Sequence, residues 1–167
     1  VLERRDPRLD LRPDEILPVA LSGRVLLIDA VDVEASIAAA SAARDAGIPS
    51  VVDVDRPGAR VHQLLRLVPV IIVPQSFLRE FAGALTPGEA LQKVNAEFQP
   101  ALVVATLGPE GSLARFEGRE IRTDPLVVEA VDTTGAGDAF RGGFVSAWLR
   151  SGAGAEVEVL LRQANAV

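Results

Sequence analysis

The sequence predicts an α/β fold: a mainly parallel sheet with helices on both faces, in three layers. Two observations carry that expectation. Short β-branched apolar runs recur along the chain, each followed by a stretch of helical composition, which is the alternation that builds parallel sheets. The runs are also continuous rather than alternating, as Val25-Leu26-Leu27-Ile28-Asp29 illustrates, and continuity marks strands buried on both faces. Composition agrees, with 167 residues of which 49% are apolar and 24% charged, enough for one domain with a substantial core.

The elements follow in order. Val25–Asp29 reads as a buried parallel strand, and Ala-rich Val33–Ala46 as a helix stopped by Gly47. Val51-Val52-Asp53-Val54 is a second buried strand. Val61–Leu67 reads as a short helix and Val70–Val73 as a third strand closed by Pro74. Ser76–Ala82 and Pro87–Phe98 are helical. Thr86 is the expected N-cap of the latter, with Glu89 three residues on completing a capping box. Ala101–Thr106 is a fourth strand ending in the turn Leu107-Gly108-Pro109-Glu110-Gly111. Leu113–Phe116 and Glu120–Arg122 flank Glu117-Gly118-Arg119 as an antiparallel hairpin. Leu126–Val131 is expected to be one more strand, and Ala136–Arg150 and Val157–Val167 two closing helices. Val1–Leu11 reads as a lead-in to the main sheet.

Charge and composition narrow the function. A net charge of −6 and 16 arginines with only one lysine (Lys93), spread without a basic run, disfavour a nucleic-acid partner. Cysteine is absent, so disulfides and thiol nucleophiles are excluded. The longest apolar run, Leu67–Val73, is far short of the ~20 residues that span a bilayer, so no membrane partner and a cytoplasmic location are expected. The charged start, Val1 to Pro7, is no signal peptide. With no methionine and a start at Val1, the chain is read as part of a longer product.

Residues 131–144 carry the chemistry. The turn Asp132-Thr133-Thr134-Gly135-Ala136-Gly137 leads directly into a helical pattern that opens with Asp138. A helix N-terminus presents unpaired N–H groups and the positive end of its dipole to anions. Gly135, Ala136 and Gly137 are small enough to let a phosphate approach that backbone. Asp138 would repel such an anion unless it has a task there, such as taking a proton from the group that attacks the phosphate, and the combination reads as phosphoryl transfer. A dinucleotide fingerprint fails because residue 140 is Phe, and a Walker loop fails because the turn has no lysine.

Asp132-Thr133-Thr134-Gly135-Ala136-Gly137-Asp138-Ala139-Phe140 resembles the C-terminal signature of the ribokinase-like (phosphofructokinase-B type) carbohydrate kinases. Thr106-Leu107-Gly108-Pro109-Glu110-Gly111-Ser112 resembles the family's Thr-x-Gly-x-x-Gly nucleotide segment, and Glu34–Asp55 and Gln163-Ala164-Asn165-Ala166-Val167 also fit. The resemblance implies a ribokinase-like fold that transfers the γ-phosphoryl group of ATP, with Mg2+, to a hydroxyl of a sugar or related small molecule; a nucleoside kinase of the same fold and a non-catalytic nucleotide- or sugar-binding regulator are the alternatives. Asp138 would be the general base, and the amides of Gly135, Ala136 and Gly137 the anion hole. Thr106, Gly108, Gly111 and Thr134 would lie along the nucleotide, and Asn165 near its adenine. Asp132 would sit near a monovalent-cation (K+) site used by some members, although an Asp capping the turn is an equal reading. A homodimer is compatible with the resemblance.

This sequence also departs from the family pattern. Where many members carry Asn-x-x-Glu after the third strand, linked to magnesium and phosphate, it has Pro74-Gln75-Ser76-Phe77, with Glu80 one turn further as a substitute. Arg141 stands where relatives carry a small or neutral residue. It shares a helix face with Asp138, which makes it a candidate partner of phosphate or of Asp138. Asp53 and Asp55 end a strand where ligands meet parallel sheets, yet Asp55-Arg56-Pro57-Gly58 also reads as a plain turn. His62 is expected at the surface. The resemblance covers residues 1–167 as the C-terminal part of a single kinase domain, incomplete on its N-terminal side and without the sugar-binding and lid part.

Overall fold

The computed structural model describes residues 10–129, 131–152 and 156–167. Six strands form one sheet in chain order: β1 (Leu26–Ile28), β2 (Ser50–Asp53), β3 (Val70–Pro74), β4 (Leu102–Thr106), β5 (Ser112–Phe116) and β6 (Arg119–Thr123). The first four strands are parallel, and β5 and β6 return antiparallel. The helices are α1 (Pro13–Ala20), α2 (Val33–Asp45), α3 (Ala59–Leu65), α4 (Gln75–Ala82), α5 (Pro87–Phe98), α6 (Ala136–Ser151) and α7 (Val157–Asn165). Among the described residues no helix is long and apolar enough to cross a membrane.

The layering follows from handedness. Each parallel crossover steps to the next strand in the same direction, and such crossovers are right-handed. The crossover helices α2 to α5 therefore fall on one face, where Leu64, Leu65, Phe77, Leu78, Leu91 and Val94 pack on Val52, Ile71, Val73, Val103 and Ala105. Alternate residues of the same strands, Val51, Val70, Ile72, Leu102 and Val104, point to the opposite face. There α6 lays down Phe140, Phe144 and Ala147 at helical spacing, and α7 adds Leu160, Leu161 and Ala164. The two helices approach closely at Gly143, where a Cβ would lie 2.7 Å from Val167 Cγ2 and 3.2 Å from the Ala164 backbone.

Local chemistry sets the boundaries. Thr86 Oγ1 accepts the Glu89 N–H at 3.3 Å, and Glu89 Oε2 accepts the Thr86 N–H at 2.9 Å, so the capping box starts α5 as expected. Glu117 and Gly118 turn the β5–β6 hairpin with φ of 49° and 76°, the pair of left-handed conformations that a two-residue hairpin needs.

Two expectations change. Leu126–Val131 is not a strand: residues 124–129 carry no ladder, and Leu126, Val127, Val128 and Val131 are exposed, while Ala130 lies outside the described residues. β-branched composition favours a strand only where a neighbouring strand or face can take it up. In the described residues none lies beside this run after β6. β1, expected to be buried, is instead an edge strand. Its Ile28 is buried, but Leu27 is 47% exposed because the layer formed by α6 and α7 takes Val51 from β2 and no residue of β1. The expected lead-in Val1–Leu11 lies outside the described residues up to residue 9. Helix α1, which the expected elements do not include, has Pro13 in its first turn with Asp14 and Glu15 beside it.

Candidate active site

The C-terminal ends of parallel strands gather the candidate residues, as open α/β sheets do with ligands. Helix α6 begins there. Its N-cap Gly135 is left-handed, with φ of 76°, and no side chain caps the helix. The first-turn amides have no carbonyl four residues back within the helix. One of them is engaged locally, since Ala136 N–H donates to Thr133 O at 3.1 Å. Asp138 stands in this first turn with its side chain 81% exposed. Upstream, Asp132 Oδ1 accepts the Thr134 N–H at 2.8 Å. That bond and a side-chain bond from Thr134 hold the Asp132 carboxyl below its ordinary range. The turn is thus braced from its own start.

The other end of the cluster sits on the β4–β5–β6 side. Thr106 ends β4, pairs with Ser112 across the ladder, and Ser112 in turn faces Thr123. Between Thr106 and Ser112 runs a 3₁₀ turn, Gly108–Glu110, closed by the Leu107 N–H donating to Gly111 O at 2.8 Å. Gly111 has a steric reason of its own. Its φ is 80°, and a Cβ there would fall on the Thr123 carbonyl oxygen. Asn165 reaches the same corner from α7, its Nδ2 donating to Ser112 Oγ at 3.2 Å and to the Thr123 and Asp124 carbonyls at 3.3 Å each. In this structure its amide nitrogen ties α7 to the hairpin.

A charge cluster centred on a buried arginine joins α6 to β2. Arg141, whose side chain is 7% exposed, makes an ion pair with Asp53 through Nη2. Nη2 also lies 3.8 Å from Asp55, and Nη1 lies 3.4 Å from Asp138 Oδ1. Burial pushes the Asp53 carboxyl up to about 6. Arg141 opposes the rise, while Asp55, Asp138 and Asp29 add to it. The residues Arg141, Asp53 and Asp138 were each visible in the sequence. The spacing of Arg141 and Asp138 on one helix face anticipated their approach, but the meeting with Asp53 was not legible, because it depends on α6 starting over the end of β2.

Other candidates stay apart. Gln75, Ser76 and Phe77 open α4, where Phe77 is buried and Gln75 Oε1 accepts from Arg79 at 3.0 Å. Glu80 is exposed on the same helix. His62 is half-buried rather than open to solvent. It sits edge-on to Phe81 and Phe98, with centroids 5.7 and 5.2 Å away and its Nε2 buried. Two concavities lie away from Asp138. One, of about 380 Å³ at the N-terminal strand ends, is lined by Arg44, Ser50 and Arg66, and another, of about 780 Å³ along β1, by Leu11, Ile16 and Leu27. The glycine turn itself faces open surface.

The family model described as pfkB family carbohydrate kinase matches residues 9–167. The chain belongs to the pfkB family. A nucleoside kinase of Methanothermobacter thermautotrophicus is 45% identical over 71 residues, 42% of this chain and 22% of that protein. A Staphylococcus aureus ribokinase is 29% identical over 120 residues, 70% of this chain and 40% of that protein. The fold is shared with the solved aminoimidazole riboside kinase of Salmonella enterica, crystallised with aminoimidazole riboside and an ATP analogue. It superposes with a TM-score of 0.79 at 21% identity over 94% of this chain and 58% of that one. The chain therefore spans less than two thirds of the length of each of these proteins.

Proposed function

We propose that this chain carries the nucleotide site and the catalytic base of an ATP-dependent kinase that phosphorylates a hydroxyl of a sugar or related small molecule. The carrying observation is an exposed carboxylate, Asp138, in the first turn of a 16-residue helix whose start is a left-handed glycine with no side-chain cap. Membership of the pfkB family supports the same reading. On it, residues 1–167 form the C-terminal part of a single kinase domain.

In this reading the α6 turn at Gly135–Gly137 receives the transferring phosphoryl group, where backbone N–H groups and the helix dipole offset its charge. A carboxylate of ordinary pKa near 4 does not deprotonate an alcohol in advance. Asp138 takes the hydroxyl proton late, as the loose transition state forms and the alcohol acidifies. Thr106, Gly108 and Gly111 line the nucleotide with Thr134, and Asn165 stands on its adenine side. Mg2+ would accompany ATP and offset the charge of its phosphates. A K+ site would use Asp132, which is exposed beside the turn.

The test is a coupled ADP-release assay on the intact parent protein across sugars and nucleosides. Asp138→Asn is expected to lower kcat by about 10²–10⁴-fold with nucleotide affinity largely kept. Turnover of that variant at the wild-type rate would remove the assignment. A second acceptor class is favoured by the similarity to a nucleoside kinase. Faster turnover of nucleosides than of sugars selects it.

A further inference from the structure

The start of α6 is fastened to the sheet by one buried arginine. Arg141 lies one turn into the helix, and helical side chains lean back toward the N-terminus. Its guanidinium therefore sits behind Gly137, where a Cβ would come within 2.8 Å of Nη1. It meets Asp53 as an ion pair, reaches Asp138 at 3.4 Å and Asp55 at 3.8 Å, and its Nε is buried without a hydrogen-bond partner. Swapping a buried ion pair for apolar residues often costs a fold nothing, so stability alone is a weak reason for this arrangement. Its position offers another reason. The guanidinium is the cation at an anion-receiving turn that otherwise carries Asp138 in its first turn and faces Asp53 and Asp55.

We propose that Arg141 is a positioning residue for phosphoryl transfer, holding the α6 N-terminus over the end of β2 through Asp53 and offsetting the Asp138 carboxylate so that an incoming γ-phosphate is not repelled. The inference rests on the reading of Asp138 as base and of the α6 turn as phosphate site. Its two parts separate cleanly. Loss of the charge exposes the phosphate to an uncompensated Asp138. Loss of the Asp53 tie leaves the charge in place and loosens its aim. Asp53 is faced by Arg141, Asp55, Asp138 and Asp29, so the tie is also sensitive to proton uptake at that cluster.

The experiment compares the dissociation constants of ADP and of the non-hydrolysable β,γ-imido analogue of ATP, by calorimetry on the full chain, alongside kcat and its pH profile. Arg141→Gln is expected to weaken the imido analogue at least about tenfold more than ADP. Adding Asp138→Asn to it is expected to recover most of that difference, an effect that a merely structural arginine would not produce. Asp53→Asn is expected to lower kcat with the ratio of the two affinities unchanged, and to flatten the profile between pH 5 and 7. Arg141→Lys, which keeps charge but loses the planar fork, is expected to preserve the ratio and lose turnover. If Arg141→Gln does not fold by thermal melting, the Lys and Asn variants decide alone.

Equal weakening of both nucleotides by Arg141→Gln, or wild-type kcat in Arg141→Lys and Asp53→Asn with Asp138→Asn inactive, overturns the inference and leaves the base in place. An active Asp138→Asn, or a wild-type chain that binds neither nucleotide, removes the reading beneath it.

Discussion

At the scale of single residues, Asp53 and Glu89 illustrate opposite uses of a carboxylate. Asp53 is pushed up to about 6, chiefly by burial, with Arg141 opposing. The folded state therefore keeps a proton that the unfolded chain releases, and its contribution to stability is full below about pH 4 and lost as pH rises toward 6. Asp53→Asn is expected to remove that slope, measured as denaturation midpoints at pH 4.5 and 6.5. Glu89 is held low by its bonds from Thr86, so its contribution is present at neutral pH and lost on acidification. The sequence exposed the second device and hid the first. A capping box is written three residues apart, whereas Asp53 and Arg141 lie on different elements and meet only when β2 and α6 are in place. Asp138 and the glycine turn were legible because their signal is local.

At the scale of elements, two glycines make different demands. Gly111 needs both a left-handed backbone and room against the Thr123 carbonyl oxygen, and neither can relax easily. Gly111→Ala is expected to cost about 3 kcal/mol or more. Gly143 is helical, and its nearest obstacle is the side chain of Val167, so Gly143→Ala is expected to cost about 1–3 kcal/mol as overpacking between α6 and α7. Urea denaturation of the two variants checks both magnitudes and their order. The buried strands were readable as continuous apolar runs, and the hairpin as Glu117-Gly118. Leu126–Val131 misled because the strand signal in Val127 and Val128 describes a preference for a pleated partner, and the described fold offers none there.

At the scale of the whole molecule, β1 is an edge of the sheet among the described residues. Leu27 is 47% exposed on an edge strand, next to a groove whose wall includes Leu11 and Ile16. Free strand edges with apolar side chains pair with other chains. Leu27→Lys is expected to shift the chain toward the monomer, measured by light scattering across a concentration series, with little change in melting temperature. Sequence patterning gave the parallel order and the helix layers, yet it could not say which strand would be the edge. That depends on how far α6 and α7 extend across the face.

Strand order that follows chain order has a consequence for synthesis. As the chain leaves the ribosome, each new strand finds its partner already laid down, so the sheet can grow by addition without rearrangement. The exception is the face covered last. Val51, Val70, Ile72 and Val104 are made early, but the helices that shelter them, α6 and α7, are translated only after all six strands. During that interval the nascent sheet is wet on one side, and a ribosome-bound chain stalled at residue 129 is expected to bind the apolar dye ANS, with the signal lost once residues 136–167 have emerged.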